Sequence, residues 1–600
     1  MKSMGRVFSG WLSVFAIWIA WESAIRIFHF HNSWTPSTAL SYFAENLLFF
    51  LVVAAVLACS HWIILLPVSR IRQNGTSFLT AICAAATFLL TVPIFLYLRV
   101  PDSASKPAWL LVLEVTGLFC FLFIFLFWIL RFASRHWKIS NALKFIAALI
   151  LTPLILIAAI QGTRDHRFER LQNGTGGIRY IVLISIDTLR YDYVGAYGAN
   201  NARTPAMDAI ASEGALFENA ISSIPQTGPS HTSMLTGKPP LVHVVLTNGQ
   251  LLPPHTRTLA HELRDNGFRT AAFVSGYPLK APNCGLDPAF QIYNDRLAFI
   301  DRFEEIYLAK LASLLPIFDF GVYRQAHEVT GPALQWLSEN ADHPFFLFLH
   351  YYDPHYPYGI KPQRRHSPRP MFVRIPRSDV MRQRQLYAKE VEAVDSQMSR
   401  VIALLKERGI YDQTLLIVTA DHGESLGEHN YYYDHKNYVY EQLIRVPLLL
   451  RCPANIKSGA RFKSQVALFD IYRTILNAAG ISPITQTDAF DLIQLIQAPS
   501  ENYSRKIISH NYNYSIHSFR TDRWKLIETK ESSRTSNELF DLSNDPGELV
   551  NLVRKRKEIT DQLLTEMNEL LNNEKGTEDW NTGNLTPEQR EALRSLGYLN

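Results

Sequence analysis

The sequence predicts an α/β protein, a mainly parallel sheet covered by helices, preceded by an all-α bundle of about five transmembrane helices. Three observations carry this. Long apolar runs dominate the chain up to about residue 160, whereas the remainder has the mixed composition of a water-soluble domain. In that remainder, short continuously apolar runs alternate with helical patterns. Several of those runs stop abruptly at an Asp or a His.

A chain of 600 residues is too long for one ordinary domain. The first region, residues 1–164, holds apolar segments near Phe8–Ile27, Leu47–Val68, Phe78–Leu98, Trp109–Leu130 and Leu143–Ile160, each near the ~20 residues needed to span a bilayer. The first competes with a signal-peptide reading, given Lys2 and Arg6 ahead of it. Glu22 inside it, the lack of a small-residue cleavage site and the four later runs favour a span. Lys2 and Arg6, then Arg70 and Arg72, then Arg131, Arg135, Lys138 and Lys144 mark alternate loops as cytoplasmic. The N-terminus is therefore expected in the cytoplasm. With five spans, everything after about residue 165 is expected outside it, as an extracytoplasmic or periplasmic domain of an inner-membrane protein.

Asp165 to Gly177 is polar and Gly-rich and reads as a linker, residues 165–178. Beyond it, Tyr180–Asp187, Thr270–Ser275, Phe345–Tyr351, Thr414–Ala420 and Val446–Leu450 read as strands buried on both faces. Val391, Val394, Met398, Val401 and Leu405 recur at helical spacing before Gly409, an amphipathic helix with its stop. Ligands of such sheets lie at the carboxyl ends of the strands, where Asp187, His350, Asp353, Asp421 and His422 fall. From about Ser509, short polar and aromatic runs suggest a small antiparallel sheet. Pro587 to Leu599 reads as a closing helix capped by Thr586. Cys59, Cys83 and Cys120 lie in apolar runs, leaving Cys284 and Cys452 to pair or stay free. The net charge of +5 is not clustered into a basic stripe, which excludes a nucleic-acid reading.

The chemistry concentrates in a few motifs. TGPSHTSMLTG, Thr227 to Gly237, presents a Thr, a Ser and a His around a Gly-Pro turn and leads into a helix whose first amides suit an anion. LLIVTADHGE runs a strand straight into Asp421 and His422. Carboxylates and an imidazole at strand tips can hold a divalent ion. A Thr beside that ion becomes a nucleophile, which a free hydroxyl is not. Singly these signals are ambiguous, since Asp187 could cap a turn and His429 and His435 could be surface histidines.

Together with IDTLRYDYVGAYG, TPAMDAIASEGALFENA, FLFLHYYDPHYPY, TADHGESLGEH, YEQLIRVPLLL, LFDLSNDPGELVNL and LRSLGYL, they carry a resemblance. From about Arg179 to its end the chain resembles the sulfatase family of the alkaline-phosphatase superfamily. The resemblance implies an alkaline-phosphatase-like catalytic domain over residues 179–505, with helices on both faces of the sheet, and a small antiparallel C-terminal subdomain over residues 506–600. It implies Asp187, Asp421 and His422 as metal ligands and Thr227 as both ligand and nucleophile. His231 stands where the family has an Arg that positions nucleophile and anion. His435 and Lys436 match catalytic positions, and Asn248 and His355 match substrate contacts. Position 227 usually carries a Cys or Ser that becomes formylglycine, a route closed to Thr. Thr188 replaces a second Asp, and His422 replaces a frequent Asn. The expected cofactor is one divalent metal ion (Mn2+, Zn2+, Mg2+ or Ca2+), tilted by His422 towards Mn2+ or Zn2+. The expected activity is hydrolysis or transfer of phosphate or sulfate esters, on an envelope lipid or glycan. The alternatives are a true sulfuric ester hydrolase and an inactive membrane-tethered lipid sensor.

Overall fold

A computed structural model describes residues 178–297, 323–359, 375–452, 456–484, 487–498, 503–531 and 534–574. The five apolar segments and the Pro587–Leu599 segment lie outside the described residues, among which no helix is long and apolar enough to cross a membrane.

The described residues open with β1, Tyr180–Ile186, in which every residue is buried. Helix α1, Pro205–Glu213, starts on a proline whose missing N–H costs nothing in a first turn. Strand β2, Ala215–Ile221, and helix α2, Thr227–Thr236, follow. Next come α3, Leu259–Asp265, β3, Arg269–Val274, and β4, Ile292–Asn294. Helix α4, Ala326–Asn340, precedes β5, Phe345–Tyr351, again wholly buried. Helix α5 is long, Arg377–Glu407. Its Val391, Val394, Met398, Val401 and Leu405 are buried as their spacing predicts, and Gly409 ends it at φ +68°. Strand β6, Thr414–Thr419, is buried throughout.

These strands lie in the order β4-β3-β5-β1-β6, all parallel. Continuous apolar sequence is what both-face burial requires, and each wholly buried Val, Leu or Ile contributes roughly 1.5–3 kcal/mol. The expected single strand Val446–Leu450 is instead two, β7, Arg445–Val446, and β8, Leu448–Arg451, and both run antiparallel to their partners. Pro447 between them has no N–H for a ladder and divides the run. Strand β9, Ala460–Ala467, pairs in parallel with β2 and completes a mixed sheet of nine strands among the described residues. Helix α6, Asp470–Ala478, follows.

A second sheet is antiparallel throughout: β10, Ile507–His510, β11, Ile516–Arg520, β12, Trp524–Glu531, and β13, Arg534–Asp541. Helix α7, Lys557–Glu574, supplies Leu563 and Met567 to the cluster formed with Phe519, Leu526 and Leu539. Backbone bonds tie this sheet to the rest. The His510 amide donates to the Ser223 carbonyl at 2.9 Å, and the Tyr512 amide to the Lys436 carbonyl at 2.9 Å. A buried charge network adds to them. Lys525 Nζ lies 3.1 Å from Glu441 Oε1 and 2.7 Å from Glu548 Oε1, while the Arg520 guanidinium donates to both Glu441 oxygens at 3.0 Å. Burial works against a charged Glu441, but Arg520 and Lys525 outweigh it and hold its carboxyl below the usual range. Cys284 and Cys452 are both buried and form no disulfide with each other.

Candidate active site

Because β1 pairs in parallel with both β5 and β6, their carboxyl ends lie side by side. Asp187 follows β1 directly, its amide donating to the Tyr351 carbonyl at 2.8 Å. Asp421 lies just past β6. Its Oδ1 accepts the Thr188 amide at 3.2 Å and the His422 amide at 2.8 Å. That uses one carboxylate oxygen and leaves Oδ2 for the site. Thr188 reaches Asp421 by adopting φ +57°, and the Tyr387 hydroxyl pins its carbonyl at 2.7 Å. Gly423 closes the Asp-His-Gly turn where a Cβ would be driven into the Gln442 carbonyl.

Thr227 is the first residue of α2, whose ten residues are all buried. Gln226 before it is extended, Pro229 sits in the first turn, and Gly237 ends the helix at φ +69°. The helix therefore aims its positive end, with Thr227, at the strand tips. Thr227 Oγ1 donates to Asp187 Oδ2 at 3.4 Å, and Ser230 Oγ donates to the Asp421 carbonyl at 2.8 Å. The Gly228 amide donates to Asn248 Oδ1 at 2.7 Å, which places Asn248 beside the turn that bears Thr227. A Cβ at Gly228 would stand 3.0 Å from that same oxygen. Gly228→Ala is accordingly expected to displace Asn248 and lower kcat/KM by roughly 10–100-fold, with an unchanged circular-dichroism spectrum. Unaltered steady-state kinetics would remove Asn248 from the site.

The histidines divide by which ring nitrogen is spent. His422 Nδ1 donates to the Gly423 carbonyl at 3.0 Å, so Nε2 carries its lone pair into the site. His435 Nδ1 donates to the Pro225 carbonyl at 2.7 Å, and its ring stacks on His422 with centroids 4.0 Å apart. His355 Nδ1 donates to the Tyr356 carbonyl at 2.6 Å, and its ring meets His435 edge-on at 5.4 Å. His231 differs, because both its nitrogens are engaged. Nδ1 donates to the Thr227 carbonyl at 2.7 Å and Nε2 accepts from Ser185 Oγ at 2.8 Å. Burial pushes its pKa down to about 3, against the pull of Asp421, so His231 is neutral and positions the Thr227 backbone. Lys436 is buried beside His435 with its ammonium 5.4 Å from the Tyr512 ring centroid. His429 stacks on Tyr440 at 3.9 Å. Sequence reasoning placed His350 at a strand end but gave it no role, although its register opposite Ser185 brings it under Asp187.

The residues fit a divalent ion. Asp187, Asp421 and His422 present ligand atoms within 4.8 Å of one another, all buried. His422 Nε2 lies 3.4 Å from Asp421 Oδ2 and 3.8 Å from Asp187 Oδ1. Neither His422 Nε2 nor Asp421 Oδ2 has a hydrogen-bond partner. Two buried acceptors facing each other without donors need a cation between them. A metal-ligating His typically donates its other ring N–H to a carbonyl, as His422 does. Thr227 Oγ1 lies on the same side of Asp187 and completes a set with two carboxylates, an imidazole and a hydroxyl.

Comparison with known proteins settles the family. A family model for sulfatases matches residues 179–481, half of the chain. The chain belongs to the sulfatase family. A second model, the C-terminal part of N-sulphoglucosamine sulphohydrolase, matches residues 427–575, across the antiparallel sheet and α7. An arylsulfatase from Clostridium perfringens is 26% identical over 445 residues, covering 63% of this chain and 90% of its own. Arylsulfatase K of Rattus norvegicus is 24% identical over 476 residues, covering 70% and 82%. The fold matches the phosphonate monoester hydrolase of Agrobacterium radiobacter with a TM-score of 0.52 at 20% identity, over 66% of this chain and 96% of that one. It also matches a protein solved with its substrate D-glucosamine-2-N,6-O-disulfate, with a TM-score of 0.53 at 20% identity, over 67% and 100%. This sulfatase-family chain is thus a sulfatase-like ester hydrolase whose site has the make-up of a divalent-metal centre. At position 227 it carries a Thr.

Proposed function

We propose that the chain cleaves or transfers phosphate esters through a covalent intermediate on Thr227. The observation that carries this is the Thr227 hydroxyl, at the start of α2 and 3.4 Å from the metal-ligand carboxylate of Asp187. A divalent ion held by Asp187, Asp421, His422 and Thr227 would lower the pKa of that hydroxyl. With its proton lost to solvent, Thr227 Oγ1 attacks phosphorus, the Oγ1–P bond forms and the ester P–O bond breaks. Protonated His435 gives a proton to the departing oxygen from Nε2. Water, or an acceptor hydroxyl, then attacks phosphorus and returns a proton to His435, while Oγ1 leaves as the alkoxide. Water gives a hydrolase and an acceptor gives a transferase. Lys436, Asn248 and His355 serve the transferred group as cation and donors. Oxidation of a Thr side chain yields a ketone rather than an aldehyde, which favours phosphate over formylglycine-type sulfate chemistry.

The apolar N-terminal segments favour an enzyme of the cytoplasmic membrane, with its catalytic domain outside the cytoplasm and an envelope lipid or polymer as substrate or acceptor. The test assays the purified full-length chain on a chromogenic phosphate monoester, a phosphate diester and a sulfate monoester, each with Mn2+, Zn2+, Mg2+ or Ca2+. Cleavage of a phosphate ester above the sulfate ester is the expected result. Cleavage of the sulfate ester alone would contradict the proposal.

A further inference from the structure

We propose that His350 is a positioning residue of the metal centre, an imidazole beneath Asp187 whose Nε2–H orients the carboxylate that faces Thr227. His350 is the penultimate residue of β5, in register with Ser185 of β1 and Val274 of β3, and it is fully buried. Its tautomer follows from its neighbours. The Ser275 amide donates to Nδ1 at 3.5 Å, which puts the ring proton on Nε2. The Ser275 hydroxyl fixes the same residue a second time by donating to the His350 carbonyl at 3.0 Å. Nε2 has no hydrogen-bond partner and lies 3.6 Å from Asp187 Oδ2. A fully buried donor without an acceptor costs free energy. A contraction of about 0.7 Å would give it a charge-assisted bond to that carboxylate.

The surroundings leave this role to His350. Asp187 Oδ1 faces His422 Nε2 at 3.8 Å, so Oδ2 is the oxygen shared by Thr227 and His350. The adjacent His231 ring, edge-on at 4.9 Å, has both nitrogens committed to Thr227 and Ser185. His231, His350 and Asp421 lie close enough to suggest a second cation site. The donor on His231 Nδ1 and the proton on His350 Nε2 oppose one, and both fit a floor of neutral imidazoles. Gly276 packs against the ring, since a Cβ there would lie 3.3 Å from His350 Cε1, which holds the imidazole in place. His350 touches no reacting atom and acts through Asp187, fixing the oxygen against which the Thr227 hydroxyl is held.

The inference rests on the metal centre of the proposed function and not on the Thr227 chemistry, so its test reads metal binding. Affinities of the full chain for Mn2+ and Zn2+ are measured by chelator competition, with melting temperatures with and without metal. His350→Leu is expected to weaken both affinities about 10–100-fold and to shrink the rise in melting temperature that metal produces. His350→Gln, whose amide reaches where Nε2 stands, is expected to stay close to wild type. His350→Asn falls short of Asp187 and should behave like Leu, which keeps the test open if Leu does not fold. The same losses are expected in a Thr227→Ala background, so a failed nucleophile assignment leaves the result readable. Wild-type affinity in the Leu or Asn variant would overturn the proposal. So would equal weakening by Gln and Leu, or a lower melting temperature with an unchanged metal-dependent rise.

Discussion

Thr227→Ala is expected to lower kcat on the best phosphate ester by at least about 10³-fold while the protein stays folded and keeps most of its metal affinity. The loss is large because, in the proposed mechanism, Thr227 supplies the attacking oxygen. Ser230 lies nearby but donates to the Asp421 carbonyl, and its oxygen is 3.3 Å from Ser222 Oγ. Metal affinity should survive because Asp187, Asp421 and His422 supply the stronger donors. Thr227→Ser keeps the hydroxyl and is expected to retain turnover. Steady-state kinetics beside metal titration separate the cases. Turnover in Thr227→Ala at the wild-type rate would show that α2 only scaffolds the site.

Lys525→Met is expected to destabilise the folded chain by roughly 3–5 kcal/mol, because removing one member of a buried ion network strands the others. Lys525 is fully buried and bridges Glu441 to Glu548. Arg520 still compensates Glu441 in the variant, so Glu548, which burial already pushes up to about 7, loses its main partner. Lys525→Met combined with Glu548→Leu should recover part of the loss. Glu441 lies a few residues after His435 and Lys436, so the antiparallel sheet also braces the loop that bears them. Denaturant unfolding with activity read in parallel checks both points. A variant as stable as wild type would mean that water reaches this cluster.

Much of the site was legible because its residues end strands. A run such as YIVLISID has one reading, and the polar residue that breaks it must face the ligand end. Asp187, Asp421 and His422 follow from that logic and Thr227 from the Gly-Pro turn of TGPSHTSMLTG, and the folded chain brings them together. His435 is ambiguous alone, and the Pro225 carbonyl, 210 residues away in sequence, fixes its tautomer. His231 carried an expected role towards an anion, but its two hydrogen bonds depend on Ser185 and on the turn of α2, which no local pattern encodes. The role of His350 is hidden for the same reason, since its neighbours Ser275 and Asp187 directly follow other strands. In the fold, the fully buried strands were plain and the edges were not. Strand β9, ARFKSQVA, alternates exposed and buried residues at its start, and β2 carries Glu218 and Asn219 at a register shift beside it. Pro447 inside an apolar run was the available sign that the expected strand would divide.

The most direct test of the account is to trap the covalent intermediate. The full-length chain is mixed with a phosphate ester of a good leaving group, quenched in acid within the first turnover, and mapped by peptide mass spectrometry. A phosphoryl group is expected on Thr227 and is expected to be absent from Thr227→Ala. Burst release of the leaving group with an unmodified Thr227, or with the phosphoryl group on another residue, would contradict it.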